Sequence, residues 1–205
     1  TKRLVDVNVT SLTDEVLAWA DYAFISSMVV QRTSAQQIIK RCKELGVKVV
    51  AGGPLFTSEH EQFENVDHFV LNEAELTLPP FLEDLNNNCA KRVYSTAHFA
   101  DIQKTPTPLW ELADLRQYAS MSIQYTRGCP YHCEFCNVTS LFGRNPRTKT
   151  PEQIVAELDS FYRMGWRGSV FFVDDNLIGN KKSLKNQLLP ALIKWQREHV
   201  PIPFN

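Results

Sequence analysis

Three thiols fall within one short stretch, Arg127-Gly128-Cys129-Pro130-Tyr131-His132-Cys133-Glu134-Phe135-Cys136, with the spacing C-x3-C-x2-C. Crowded thiolates of this kind bind zinc or iron–sulfur clusters. Four cysteines are the usual complement of a [4Fe–4S] cluster. Three of them wrapped about three corners leave one iron open to a ligand that is not protein. The competing reading is a structural zinc site that adds His132 or a distant ligand, although zinc knuckles usually present paired C-x2-C hairpins. Buried, unligated thiols are a third reading. Gly128 lets the backbone come close to whatever the loop holds. Of the other two cysteines, Cys42 lies on an apolar helix face and reads as core, and Cys89 lies in an Asn-rich turn.

Five cysteines is an odd number, and their crowding does not suit a secreted disulfide scaffold. A net charge of −1 gives no electrostatic reason to expect nucleic acid or an acidic membrane as partner. No apolar run approaches the roughly 20 residues of a membrane span, and no basic-then-apolar leader opens the chain. The expectation is therefore a cytoplasmic protein. With 205 residues, 43% of them hydrophobic, there is enough chain for one large domain or two small ones. It opens on Thr1 without a methionine and stops at Pro203-Phe204-Asn205, where a strand begins, so it reads as an internal fragment.

The elements that must position the loop follow from periodicity. Asp21–Ser26, Val47–Ala51 and Asp67–Leu71 read as strands. Between the first two lies a helix capped by Ser34, with Ile38, Ile39, Cys42 and Leu45 at helical spacing, ended by Gly46. A further helix runs to about Leu85, its start blurred by Pro79-Pro80. Strands separated by helices predict a parallel sheet covered on both faces. From about Asn86 to Tyr118 loop chemistry dominates, and Leu109, Trp110 and Leu112 are expected to be buried. The alternation then resumes. Met121, Ile123 and Tyr125 alternate as on a strand, directly before the cysteines. Thr150, Pro151 and Gln153 predict a capping box and a helix with the buried stripe Ile154, Val155, Leu158, Phe161 and Tyr162, stopped by Gly165. Ser169–Val173 is an apolar strand ending in Asp174-Asp175-Asn176, and a helix from about Ser183 to His199 follows, kinked at Pro190. Arg144, Arg147 and Lys149 precede the capped helix and read either as partners for a carboxylate or as solvated surface.

The cysteine loop directly after a strand resembles the radical S-adenosylmethionine (SAM) superfamily. There the open iron of a [4Fe–4S] cluster chelates the methionine part of SAM, and an electron from the cluster breaks the sulfonium bond to give a 5′-deoxyadenosyl radical. The resemblance implies that Cys129, Cys133 and Cys136 are the cluster ligands and that Phe135 helps hold the adenine. It also implies that Asp174, Asp175 or Asn176, at the end of the next strand, accepts from the SAM ammonium. The Gly-Gly-Glu form often seen there is absent.

The order of the whole chain, with Ala51-Gly52-Gly53-Pro54, Asn72-Glu73-Ala74-Glu75 and Phe172–Asn176, is similar to radical SAM enzymes with an N-terminal cobalamin-binding domain. It is most like the hopanoid methylase branch. This implies an incomplete flavodoxin-like α/β sheet over residues 1–88, a linker over 89–120, and the first βα units of a partial TIM-type barrel over 121–205. Ser26, Ser27 and Met28 match a Ser-x-Leu turn, with Met replacing Leu, and Gly52 and Gly53 match a Gly-Gly turn. The implied role of Ser26, Ser27, Gly52 and Gly53 is to hold the tail of cobalamin. The cobalt-ligating histidine motif belongs upstream of Thr1, and neither His60 nor His68 takes its place. Asn72 stands where the family often has glycine.

The function so implied is SAM cleavage, with cobalamin-dependent methylation of an unreactive carbon on a small, lipid-like substrate and an electron donor such as flavodoxin or ferredoxin. The alternatives are a radical oxidoreductase or methylthiotransferase without cobalamin, and a non-catalytic iron–sulfur or zinc module.

Overall fold

Short β-branched runs alternating with amphipathic helices build a parallel sheet in the first half of the chain, as the computed structural model of residues 1–205 shows. The chain forms two units, one of Ser11–Ala100 and the other of Thr1–Thr10 with Asp101–Asn205.

The Ser11–Ala100 unit runs α1 (Asp14–Ala18), β1 (Tyr22–Ser26), α2 (Arg32–Glu44), β2 (Lys48–Gly52), α3 (Pro54–Glu59), β3 (His68–Val70), α4 (Ala74–Asn86) and β4 (Val93–Tyr94). All four strands are parallel, in the order β1-β2-β3-β4, with Ser26 level with Gly52 and Gly52 level with Val70. Alternating residues feed a core on each face. Ile39, Cys42, Val49, Phe56 and Phe69 pack on one side, and Val50, Val70, Phe81 and Tyr94 on the other. Removing each such large side chain from water stabilises the fold by about 1.5–3 kcal/mol.

Three expectations are corrected here. α2 begins at Arg32, not at Ser34, because a 3-10 turn over Val29–Gln31 leads into it, and the Met28 N–H donates to the Gln31 side chain at 2.9 Å. α4 starts at Ala74 and continues through Pro79 and Pro80. Buried Phe81 anchors it, and Thr77 Oγ1 donates to the Leu71 carbonyl at 2.9 Å. The two-residue β4 was not foreseen. Its Tyr94 hydroxyl donates to Asp84 at 2.7 Å and accepts from the Lys91 N–H at 2.8 Å. Within the expected linker 89–120, residues up to Ala100 thus pack with this sheet, and those from Asp101 pack with the second unit.

That second unit contains β5 (Ser120–Ile123), β6 (Thr126–Arg127), α5 (Val138–Phe142), β7 (Arg147–Thr148), α6 (Pro151–Arg163), β8 (Ser169–Phe172), α7 (Lys181–Ser183) and α8 (Leu189–Glu198). β5 and β8 pair in parallel, β6 and β7 antiparallel, and Phe204 bridges Val170 in parallel on the other side of β8. The predicted capping box is present: Gln153 N–H donates to Thr150 Oγ1 and the Gln153 side chain accepts from Thr150 N–H. Ile154, Leu158 and Phe161 are buried against β5 and β8 residues Met121, Ile123 and Val170. Trp110 packs on Phe161 with ring centroids 4.8 Å apart, but Leu109 and Leu112 are exposed, contrary to expectation. Within the helix expected from about Ser183 to His199, a π turn over Leu184–Leu188 stands directly before α8, which has Pro190 in its first turn. No helix is long and apolar enough to cross a membrane.

Candidate functional site

The cysteine loop leaves β6 and enters α5. Gly128 sits at φ +91°, and a Cβ there would lie 3.0–3.2 Å from the carbonyl oxygens of Phe142, Gly143 and Asn145. Only glycine fits both the conformation and the space. Cys129 N–H donates to Gly143 O at 3.2 Å, and Cys136 N–H donates to Cys133 O at 3.1 Å, closing a turn between the last two thiols. All three cysteines are unpaired; Cys129 and Cys136 are half-buried and Cys133 is exposed. No three His, Cys, Asp or Glu side chains converge on a common point, and the cysteine loop is no exception. Three free thiols at C-x3-C-x2-C spacing on one short loop, its glycine forced and its backbone anchored at Gly143, are by type and number the donors that three corners of a cluster require.

Three consecutive residues beyond β8 hold the start of the loop. Asp174 Oδ1 accepts from the Tyr125 N–H at 2.8 Å and from the Thr126 N–H. Asp175 Oδ2 accepts from the Gly128 N–H at 2.8 Å. Asn176 Nδ2 donates to Cys129 Sγ at 3.6 Å. Burial pushes the Asp174 carboxyl up to about 6, against the opposing pull of the Thr126 and Tyr125 amides, and its Oδ2 is buried without a partner. Asp175 adds like charge and Lys149 opposes it.

Lys149 is buried rather than solvated. Its N–H donates to Tyr125 O at 2.8 Å, and its ammonium pairs with Glu157 at 2.5 Å. Burial raises the Glu157 carboxyl above the usual carboxylate range, with Lys149 opposing. Sequence reading missed Glu157, yet the signal was there. It sits three residues after Ile154 and immediately before Leu158, inside the apolar stripe of α6. Arg147 donates to Phe142 O at 3.0 Å, and an Arg144 guanidinium nitrogen lies 3.0 Å from His132 Nδ1. Phe135 is 94% exposed and Tyr131 60%.

In the other unit, Ser26, Ser27, Gly52 and Gly53 meet at the carboxyl ends of β1 and β2. A Cβ on Gly52 would come within 2.6 Å of Val70 O, and one on Gly53, at φ +84°, within 2.7 Å of Ser26 Oγ. The neighbouring chain therefore demands both glycines. Ser27 is buried and its carbonyl accepts from the Leu55 N–H at 3.0 Å, while Ser26 is exposed. Asn72 adopts φ +62°, a left-handed conformation that both asparagine and glycine enter readily. This explains the exchange noted in the sequence. Its Oδ1 accepts from Thr96 N–H at 3.2 Å. His68 Nδ1 lies 2.7 Å from Lys91 O, and His60 packs against the Phe69 ring.

Residues 123–188 match the family model of the radical SAM superfamily. The chain is 45% identical over 206 residues to an uncharacterized methyltransferase of Synechocystis sp., covering 99% of this chain and 38% of that protein. It is 40% identical over 199 residues to the hopanoid C-2 methylase of Rhodopseudomonas palustris, covering 95% of this chain and 38% of the relative. The chain thus spans about two fifths of the length of these curated relatives. The fold is similar to that of part of the cobalamin-dependent SAM radical enzyme OxsB, solved with aqua-cobalamin bound. Its TM-score is 0.69 at 20% identity, over 93% of this chain and 31% of that one.

Proposed function

We propose, from the match of residues 123–188 to the family model of the radical SAM superfamily, that the protein of which this chain is part cleaves SAM reductively and methylates an unreactive carbon with the help of cobalamin. The observation that carries this reading is the tether of the cysteine loop. Asp174, Asp175 and Asn176 reach Tyr125, Thr126, Gly128 and Cys129 from the carboxyl end of the neighbouring parallel strand. Strand carboxyl ends are where barrels carry their chemistry.

In this reading Cys129, Cys133 and Cys136 hold the cluster. When bound, the cluster supplies the electron that splits the sulfonium bond of SAM. The chain's part is to position. Gly128 brings the backbone under the loop, Asp175 fixes the Gly128 amide, and the backbone N–H of Lys149, whose side chain pairs with buried Glu157, holds the Tyr125 carbonyl. Exposed Phe135 offers a flat apolar face for the adenine. The acceptor for the SAM ammonium lies among Asp174, Asp175 and Asn176. The Asp174 Oδ2 that lacks a partner is a free acceptor on that strand end.

Ser26, Ser27, Gly52 and Gly53, gathered at parallel strand ends, are assigned to the cobalamin tail. Ligands of open α/β sheets bind at such ends. We assign the Ser11–Ala100 unit to the cobalamin-binding part and residues 121–205 to the opening of the barrel, with residues 101–120 packed in the same unit as the latter. The similarity to a hopanoid methylase supports a small, lipid-like substrate. Five unpaired cysteines suit the reducing cytoplasm and a flavodoxin or ferredoxin as electron donor.

The test is an electron paramagnetic resonance spectrum of anaerobically reconstituted, dithionite-reduced chain, with and without SAM. A [4Fe–4S] signal that changes when SAM is added is expected. A cluster signal indifferent to SAM, or stoichiometric zinc in place of iron, would overturn the reading.

A further inference from the structure

Asp174, Asp175 and Asn176 are consecutive, yet each has a different partner. The first grips two strand-end amides, the second the Gly128 amide, and the third a cysteine sulfur. Asn176 therefore stands apart from its neighbours. Its amide N–H points at Cys129 Sγ, 3.6 Å away, and Cys129 itself is half-buried. Hydrogen bonds to the sulfurs are among the factors that set the reduction potential of an iron–sulfur cluster. A donor on a thiolate stabilises the more negative, reduced form and makes the cluster easier to reduce.

Resting on the function proposed above, we propose that Asn176 is a positioning residue that raises the reduction potential of the cluster through its amide hydrogen bond to Cys129. Asn176 thereby adjusts how readily the electron donor loads the site. It need not touch SAM to do so. Asp175, one residue earlier, works in the opposite sense, because it brings a carboxylate to the amide immediately before Cys129.

The test is a redox titration of the reconstituted chain, followed by the [4Fe–4S] paramagnetic signal, on wild type, Asn176→Leu and Asn176→Asp. Iron and sulfide per chain are measured alongside. Leucine keeps the volume and removes the donor, so at the wild-type midpoint the ratio of reduced to oxidised cluster is expected to fall about tenfold, or about 59 mV for one electron. Aspartate puts an acceptor in its place and is expected to move the midpoint further the same way. Asn176→Gln, which keeps a donor on a longer arm, recovers part of the shift. If leucine lowers cluster loading, the aspartate and glutamine variants carry the comparison.

A midpoint common to all variants overturns the assignment. So does a variant that keeps its midpoint and loses only the spectral response to SAM, since Asn176 would then be a SAM ligand. A midpoint shift in a chain whose wild-type cluster ignores SAM leaves the assignment standing and sinks the radical reading alone.

Discussion

The two strand-end regions of this chain are built from similar parts and held in different ways. At β1 and β2 the turn is fixed from within: Gly52 is a glycine because Val70 O leaves no room for a Cβ, and Gly53 because of its φ and Ser26. At β5 and β8 one glycine, Gly128, is forced in the same manner, but side chains from the neighbouring strand end then take hold of the loop. The first arrangement uses its special residues to satisfy its own backbone. The second leaves three thiols outside any disulfide, Cys129 accepting from Asn176, and holds the backbone beneath them from the neighbouring strand end. Crowded free thiols are the stronger sign of a ligand, and by that measure the cysteine loop outranks the double glycine.

The contrast is broken most severely at the loop itself. Replacing Cys129, Cys133 or Cys136 by serine is expected to abolish cluster assembly, read as iron and sulfide per chain, while the melting temperature of the cluster-free chain stays within a degree or two. A large loss of stability in the cluster-free chain would mean that the thiols do have an internal task.

Beneath the loop the largest stability effect is expected from Glu157→Ala, which leaves the Lys149 ammonium buried and unpaired. Breaking a buried pair on one side costs about 3–5 kcal/mol, measurable by urea denaturation, and milder loss would show that Lys149 escapes to solvent. At the other strand end, Gly52→Ala drives a methyl group into the Val70 carbonyl. Overpacking of this kind costs about 1–3 kcal/mol. The loss should already appear in the absence of cobalamin. A loss confined to cobalamin affinity would show that the glycine is kept for the ligand.

A further effect sharpens the comparison through pH. Burial raises the Asp174 carboxyl from the ordinary 3.8 to about 6. The folded chain therefore holds this proton more tightly than the unfolded one, so the contribution is most favourable below about pH 4 and is lost as pH rises to about 6. Asp174→Asn keeps an acceptor for the Tyr125 and Thr126 amides without the titration. The difference in melting temperature between variant and wild type is expected to move in the variant's favour between pH 4 and pH 6, and then to level off. A difference independent of pH would place the carboxylate in water.

What could be read beforehand had local causes. The capping box at Thr150 and Gln153 and the stripe Ile154, Leu158 and Phe161 were legible because helix periodicity and caps are written within a few residues. So was the C-x3-C-x2-C spacing. Tertiary causes were not legible. β4 is two residues long and exists because Tyr94 packs on Phe81, with rings 5.4 Å apart, and reaches Asp84. α4 runs through two prolines because Phe81 and Thr77 hold it down. The strand end Asp174-Asp175-Asn176 was read as facing SAM. That its side chains also clamp residues 125–129 needed the register of β5 against β8, with Ile123 level with Phe172.

The π turn over Leu184–Leu188 has a consequence for how this segment tolerates insertion and deletion. Leu189 N–H donates five residues back to Leu184 O, so the helix carries one residue more than a regular α turn holds. Pro190, with no N–H to give, comes directly after it. Removing one residue from this turn would restore α geometry, in which the proline ring runs into the carbonyl four positions before it. It would also rotate the preceding residues by about 100° relative to Leu192 and Trp195. The extra residue thus lets a proline enter the helix while Leu188, Leu192 and Trp195 stay on one buried face, and a one-residue gap here is a far less neutral edit than the same gap in a surface loop.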